Sequence, residues 1–362
     1  MRKYFARMAA TLLAAILFFS INVDALSAQK AIVMDGDTGH VLYSKNPDER
    51  SLIASTTKIM TALIVCERCN VLDRVRVPKE AVGVEGSSIY LREGEILTVQ
   101  ELLYGLMLHS GNDAAIALAI YCGGTVEGFA QLMNDKARFL EMHNTNFENP
   151  HGLDNQHHYS TARDLAILAS YAMDNPIFAK TVSTKNVNIS GRTLKNHNKL
   201  LWLADGAEGV KTGYTRAAGR ILVSCVKRKD RRVVMVTINA PDDWNDHLVL
   251  ANQAFLHYAK SCVIKAGDVV GYVDVFCGAK EKVELIASTD CYCTLADWEK
   301  PEITLQTTGA VYAPVVCGQD AGAAYVQVDG TTIGKFAVQF GDTVELQVTQ
   351  KKNFLEKIFK GE

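Results

Sequence analysis

Residues patterned as strands lie at both ends of a long helical block, and that separation limits the folds open to the chain. Residues 31–44 read AIVMDGDTGHVLYS, two short apolar runs around Asp35-Gly36-Asp37-Thr38-Gly39, the residue types that close a hairpin. Strand patterning returns only beyond Gly209: residues 220–226 and 233–239 alternate or run β-branched on either side of the polar turn Lys227-Arg228-Lys229-Asp230-Arg231. Between these ends, residues 59–66, 99–108, 114–121, 129–139 and 162–173 carry apolar side chains at helical spacing. Residues 244–260 do so again, with Leu248, Leu250, Ala254, Phe255 and Tyr258 available for one face. One sheet must then be assembled from segments far apart in sequence, with helices against it and a helical lobe beside it, an α+β class. Residues 262–348 change to short alternating runs separated by Gly and Asp, among them 283–286, 323–328 and 342–348, and predict a small all-β domain.

The N-terminus sets the compartment. Arg2, Lys3 and Arg7 precede an apolar run over residues 8–23, and Val23 and Ala25 are small enough to precede a cleavage site, the outline of a signal peptide over 1–25. The mature chain then starts near Leu26, with cleavage after Ala28 or an uncleaved anchor as the alternatives; the run is shorter than the about 20 residues a spanning helix needs. The body is expected outside the cytoplasm. Lys plus Arg number 38 against 40 Asp plus Glu, a net charge of -2, so there is no basic stripe and nucleic acid is excluded as a partner. Nine cysteines are an odd number in a chain too long to need staples, so they are read as buried or idle thiols and not as a disulfide framework. Cys66 and Cys69 form a lone C-x-x-C inside an apolar helical pattern, with no second pair to complete a zinc site. Cys291 and Cys293 alternate like strand residues, too close for an easy bridge.

Ser55-Thr56-Thr57-Lys58 opens the first long helix, and the i, i+3 spacing puts Ser55 and Lys58 on one face. A serine hydroxyl is a poor nucleophile until its proton is taken, and an amine takes it only when burial or a neighbouring cation lowers the amine's pKa. Taken alone, Ser55 could be a helix cap and Lys58 a solvated residue. S-x-x-K also occurs at residues 27–30 and 224–227, and S-x-N at 20–22 and 44–46 as well as 110–112, whereas Lys211-Thr212-Gly213 occurs once. The information is in the order: S-x-x-K at a helix start, S-x-N in a loop after another helix, K-T-G just before a strand hairpin.

In that order and spacing the three elements resemble the penicillin-recognising serine hydrolases. The stretches Met34-Asp35-Gly36-Asp37-Thr38-Gly39, Ala54-Ser55-Thr56-Thr57-Lys58-Ile59-Met60-Thr61-Ala62, Ser110-Gly111-Asn112-Asp113-Ala114-Ala115, Asn149-Pro150-His151-Gly152-Leu153 and Gly209-Val210-Lys211-Thr212-Gly213-Tyr214-Thr215 look like the low-molecular-weight D-alanyl-D-alanine carboxypeptidases. The resemblance implies a β-lactamase/transpeptidase-like catalytic domain over 26–261, an antiparallel sheet with flanking helices and a helical lobe, followed by a β domain over 262–349. It implies Ser55 as the acylated nucleophile, Lys58 as proton acceptor and Ser110 as relay to the leaving amine. Asn112 would hold Lys58 and the substrate amide. Lys211 and Thr212 would receive the substrate carboxylate, with the Lys211 charge also lowering the pKa of Lys58. Gly213 would let the substrate backbone approach an edge strand, and the N–H groups of Ser55 and Tyr214 would form the oxyanion hole. No metal or other cofactor is called for. His151, His157 and His158 match no zinc-ligand spacing and are read as shaping their loop.

The implied partners are peptidoglycan stem peptides ending in D-Ala-D-Ala, with β-lactams as inhibitors that acylate Ser55 and leave slowly. One departure stands out. Some relatives carry a basic residue just before the last helix of the catalytic domain, whereas residues 239–247 here contain neither Arg nor Lys, leaving Lys211, Thr212, Thr215 and Arg216 for the carboxylate. The rivals are a D,D-transpeptidase, a β-lactamase, for which no Glu stands in a matching context, and a wall-binding module with a dead site. Finally, Phe354, Leu355, Ile358 and Phe359 fall on one helical face among lysines, so residues 350–362 are expected to lie peripherally on the outer face of the membrane as an interfacial helix.

Overall fold

The computed structural model describes residues 26–347; the expected signal segment and the expected membrane tail lie outside the described residues. The chain divides into two compact units, the first ending at Tyr258 and the second beginning at Ala259.

In the first unit the hairpin of β1 (Lys30–Asp35) and β2 (Val41–Lys45) leads through a 3-10 turn over Ala54–Thr57 into helix α1 (Lys58–Arg68). The helical lobe follows. It holds a small ladder of β3 (Arg74–Arg76) with β4 (Ile96–Thr98), then α2 (Val99–Leu108), α3 (Asn112–Gly123), α4 (Val126–Phe139), α5 (Ala162–Met173) and α6 (Pro176–Ser183). A second small ladder, β5 (Asn186–Ile189) with β6 (Arg192–Lys195), and the single turn α7 (Leu200–Leu203) lead to β7 (Ala207–Thr215), β8 (Gly219–Arg228), β9 (Arg231–Ile238) and α8 (Asp243–His257). The sheet order is β2-β1-β9-β8-β7, with every neighbour antiparallel. Strands from the two ends of the unit therefore meet at its centre, Lys30 opposite Ile238 and Asp35 opposite Val233, and β7 is an edge.

Local chemistry sets the boundaries. Thr98 accepts from the Glu101 N–H while the Glu101 carboxylate accepts from the Thr98 N–H at 2.8 Å, a reciprocal cap that fixes the start of α2. Thr161 caps α5 through the Asp164 N–H at 3.1 Å, and Pro176 opens α6 behind the Asn175 cap. Helix α5 packs against β1, β8 and β9, and α8 against β8 and β9. Nearly every residue of β9 is buried, which is why it reads as a β-branched run and not as an alternation.

Three expectations are corrected. The helix expected over 244–260 stops at His257; Tyr258 is extended, at φ -113° and ψ 139°, and buries its ring with its hydroxyl donating to the Leu42 carbonyl at 2.8 Å. The strand expected over 342–348 is, in its described part, two isolated bridges, Val344 to Val315 and Leu346 to Gly278. Its two partners are separate short segments, and Pro314, beside Val315, has no N–H to extend the first ladder. The middle block is also not purely helical, since the two small ladders interrupt it. The cysteine pair divides: Cys66 is buried and its thiol is pushed up to about 12, by burial first, whereas Cys69, just past the end of α1, hydrogen-bonds the Cys122 thiol of α3.

In the second unit, a six-stranded sheet runs over residues 269–340 and a two-stranded ladder pairs the strand Tyr258–Ile264, whose first residue closes the first unit, with Cys291–Ala296. Its core gathers Val283, Leu285, Cys293, Val326, Phe336 and Val338, the inward half of each alternating run. The fold is thus α+β with an all-β C-terminal unit.

Candidate active site

Ser55 sits half-buried in the 3-10 turn that precedes α1, and Lys58 is the first residue of α1. The turn is held from below. Thr56 Oγ1 donates to the Ile53 carbonyl at 2.6 Å and Thr57 Oγ1 to the Ala54 carbonyl at 2.8 Å. The His158 ring accepts the Glu148 N–H at Nδ1 over 3.0 Å, so its proton is on Nε2, which lies 2.8 Å from Thr57 Oγ1 and donates to it. Gly152, at φ +89°, passes so close that a β-carbon there would lie 1.8 Å from the Ala54 carbonyl oxygen. His151 and His158 are therefore built into the loop that clamps the nucleophile's turn. Burial, and then the Lys58 charge, lowers them to about 3 and about 4 respectively, which keeps both rings neutral at physiological pH. His157 is exposed.

Lys58 is fully buried. Its Nζ donates to Ser55 Oγ at 3.0 Å, to Asn112 Oδ1 at 2.7 Å and to the His151 carbonyl at 2.6 Å, which uses all three ammonium hydrogens. In the neutral amine the two shorter bonds can persist while the lone pair faces Ser55, as a base requires. Burial first, and the Lys211 charge second, lower its pKa well below the ordinary lysine value, against an opposing pull from Asp113. Asp113 itself ties down the loop over the cleft, accepting from the Ile89 N–H, the Leu91 N–H and Ser88 Oγ.

Ser110 lies in the short connection between α2 and α3, buried at φ +63°, and Asn112 is the first residue of α3. Asn112 Nδ2 donates to the Glu85 carbonyl at 2.5 Å, so this side chain braces Lys58 with one end and the overlying loop with the other. On edge strand β7, Lys211 is buried, donates to the Thr212 carbonyl at 3.0 Å and is lowered to about 7 by burial. Glycine at 213 also meets a need inside the chain. A β-carbon there would lie 3.2 Å from the Ile53 carbonyl and 3.3 Å from the Ser55 nitrogen, so the glycine serves the approach of β7 to the chain's own nucleophile turn.

Ser55, Ser110, Thr212, Gly213 and Tyr214 line one cleft of about 910 Å³, with Lys58 and Asn112 reached through Ser55 and Lys211 through Thr212. Of the further carboxylate candidates, Thr215 Oγ1 is engaged by Asp154 at 3.1 Å and by the Ala218 N–H, and Arg216 is exposed and does not line the cleft. A cation that does line it, beside Tyr214, is Arg220, which sequence reading missed. It stands opposite Tyr214 across the β7–β8 turn, is paired with Asp243 at 2.7 Å and lies 5.7 Å from the Trp244 ring centroid. The segment without a basic residue thus supplies an acid and a ring that hold an arginine from the neighbouring strand. A signal was present: the turn length fixes Arg220 opposite Tyr214.

A family profile described as D-alanyl-D-alanine carboxypeptidase matches residues 18–242, and one described as the C-terminal domain of penicillin-binding protein 5 matches residues 258–349. The chain is 34% identical to the D-alanyl-D-alanine carboxypeptidase DacF of Bacillus subtilis over 332 residues, 87% of this chain and 85% of the relative. Among solved structures it is similar to penicillin-binding protein 5 from Haemophilus influenzae, with TM-score 0.75 and 28% identity over 90% of this chain and 100% of that one. It is also similar to a Streptomyces K15 DD-transpeptidase mutant, with TM-score 0.62 and 36% identity over 64% of this chain and 99% of that one.

Proposed function

Because the chain belongs to the D-alanyl-D-alanine carboxypeptidase family, we propose that it removes the terminal D-alanine of peptidoglycan stem peptides through an acyl-enzyme on Ser55. It is a serine hydrolase of the penicillin-binding kind. The observation that carries the assignment of roles is the Lys58 ammonium bonded to Ser55 Oγ within a buried site that lowers its pKa.

Ser55 Oγ attacks the carbonyl carbon of the penultimate D-alanine and passes its proton to Lys58 Nζ. The oxyanion is met by the N–H groups of Ser55 and Tyr214, brought together by the close passage of β7 at Gly213. The C–N bond then breaks, and the leaving amine takes up a proton by way of Ser110. Water, deprotonated at Lys58, cleaves the ester. Thr212, Lys211 and Arg220 receive the terminal carboxylate; Arg220 matters because Lys211, lowered to about 7, is not fully charged at neutral pH, whereas a guanidinium is.

The test is release of free D-alanine from an acyl-D-Ala-D-Ala peptide, with Arg220→Gln assayed beside the wild type. We expect stoichiometric release, and in the variant a KM raised about tenfold for loss of a charged hydrogen bond. No release sinks the reaction, and an unchanged KM removes Arg220 from the site.

Export by the N-terminal segment and peripheral attachment by the C-terminal one complete the proposal; their support is the sequence pattern of residues 1–25 and 350–362. Four apolar side chains, at about 1.5–3 kcal/mol each as an upper bound, give weak, reversible binding after the cost of ordering the segment. Flotation with anionic liposomes is expected to recover the mature protein but not a form lacking residues 351–362; equal recovery of both would show that this segment is no anchor.

A further inference from the structure

We propose that Cys69 and Cys122 are a modification site, a thiol pair that oxidises to a disulfide and locks helix α1 against helix α3. These two helices carry catalytic side chains at their other ends. Lys58 is the first residue of α1 and Asn112 the first of α3, and their side chains meet at 2.7 Å. Cys69 follows the last turn of α1, Cys122 lies in the last turn of α3, and the two thiols are hydrogen-bonded to each other. The helices therefore run parallel and touch at both ends, the two contacts lying about 15 Å apart along the axes at about 1.5 Å per residue. A covalent bond at the far end fixes how the helices sit while Lys58 reaches Asn112. The inference goes beyond the reaction proposed above, and only its setting, an oxidising exterior, rests on the export proposed there.

The bland alternative is two idle thiols in chance contact. Against it, the backbone on both sides is pinned. The Cys69 N–H donates to the Val65 carbonyl at 3.0 Å, and Tyr121, beside Cys122, donates its hydroxyl to Asp73 Oδ2 at 2.8 Å. Asp73 is tied back through its own N–H to the carbonyl of Asn70, the neighbour of Cys69, at 3.0 Å. Both thiols are half-buried, so an external disulfide can reach them, whereas Cys66 is buried and its thiol is pushed up to about 12, by burial first. The two members of the pair have different roles. The hydrogen bond from Cys69 lowers the Cys122 thiol, with burial opposing and the Arg68 charge assisting, and the same hydrogen bond raises Cys69. Cys122 is thus the thiolate that attacks. It opens a small-molecule disulfide, forming a mixed disulfide and expelling one thiolate. Cys69 then attacks the Cys122 sulfur and expels the second, each leaving group taking up a proton that one cysteine gave up. The protein loses two electrons and two protons, and the external disulfide is reduced to two thiols.

The experiment incubates the full mature chain with oxidised glutathione, alkylates the remaining thiols and maps the peptides by mass spectrometry without reduction. We expect Cys69 linked to Cys122. Cys69→Ser should stop at a glutathione adduct on Cys122, and Cys122→Ser should leave Cys69 largely free. The linked form should unfold about 10 °C above the same protein after reduction, since the bond closes a long loop of the unfolded chain. The double variant Cys69→Ser, Cys122→Ser should show one midpoint in either redox state, which separates the effect from that of any other cysteine. Free Cys69 and Cys122 after incubation, or Cys69 linked to Cys66 instead, overturns the site. A linked pair whose midpoint equals that of the reduced protein overturns the lock. None of these readouts depends on D-alanine release, so the outcome is separate from that of the proposed reaction.

Discussion

Ser55→Ala is expected to abolish both covalent labelling by fluorescent penicillin and release of D-alanine, while leaving the fold intact. Among the described residues its hydroxyl takes part in one hydrogen bond, from Lys58 at 3.0 Å. The turn around it is fixed by other groups: Thr56 and Thr57 bond the carbonyls of Ile53 and Ala54, and Gly152 packs against the latter. An unchanged unfolding midpoint with no label therefore identifies the nucleophile. Label persisting in the alanine variant would sink the assignment. In the wild type the penicillin ester is expected to be long-lived. Among the described residues the acid lining the cleft is Asp243, which is committed to Arg220, and no glutamate lines it. Rapid turnover of the label would instead mark a β-lactamase.

The parts of this enzyme that were legible in its sequence are those where a local rule and the tertiary structure agree. Helices α2 and α5 were readable to the residue because an apolar stripe coincides with a cap, Thr98 with Glu101 in one case and Thr161 in the other. That one sheet joins segments from both ends of the catalytic unit followed from strand patterns at distant positions, whereas the pairing of β1 with β9 is given by the structure alone. Strands of three or four residues, such as β3 and β6, were not readable, because so few residues carry no period. The end of α8 was misplaced because Tyr258 fits a helical stripe equally well, and what decides its extended backbone is a bond to Leu42, 216 residues away. In the site, Ser55, Lys58, Ser110, Asn112 and Lys211 could be singled out because their residue types carry chemistry in a fixed order. Arg220 could not. It is an ordinary surface-type residue until strand register places it at the cleft.

Lys211→Met is expected to separate the two tasks of the buried lysine pair, and the sign of each effect follows from the pKa directions. The substitution keeps volume and removes a charge. Lys58 then loses the cation that is the second cause of its lowered pKa, after burial, so its pKa rises. The acidic limb of the penicillin acylation rate, which reports neutral Lys58, moves to higher pH. A limb that does not move would mean that burial alone tunes Lys58. Stability should change in the opposite sense to activity. In the wild type Lys211 titrates at about 7 folded and at about 10.4 unfolded. Between these values the unfolded chain binds the extra proton, so wild-type stability rises with pH across that window and is lost again as pH falls toward 7. At about 1.4 kcal/mol per pKa unit the penalty at neutral pH is on the order of 4 kcal/mol. Denaturant unfolding at pH 7 should therefore find the methionine variant more stable than the wild type, and the gap should close toward pH 10. A variant no more stable at pH 7 would show that the lysine costs the fold nothing. A more stable protein that acylates poorly would place the cost of this site in the desolvated lysine that lowers the pKa of its neighbour.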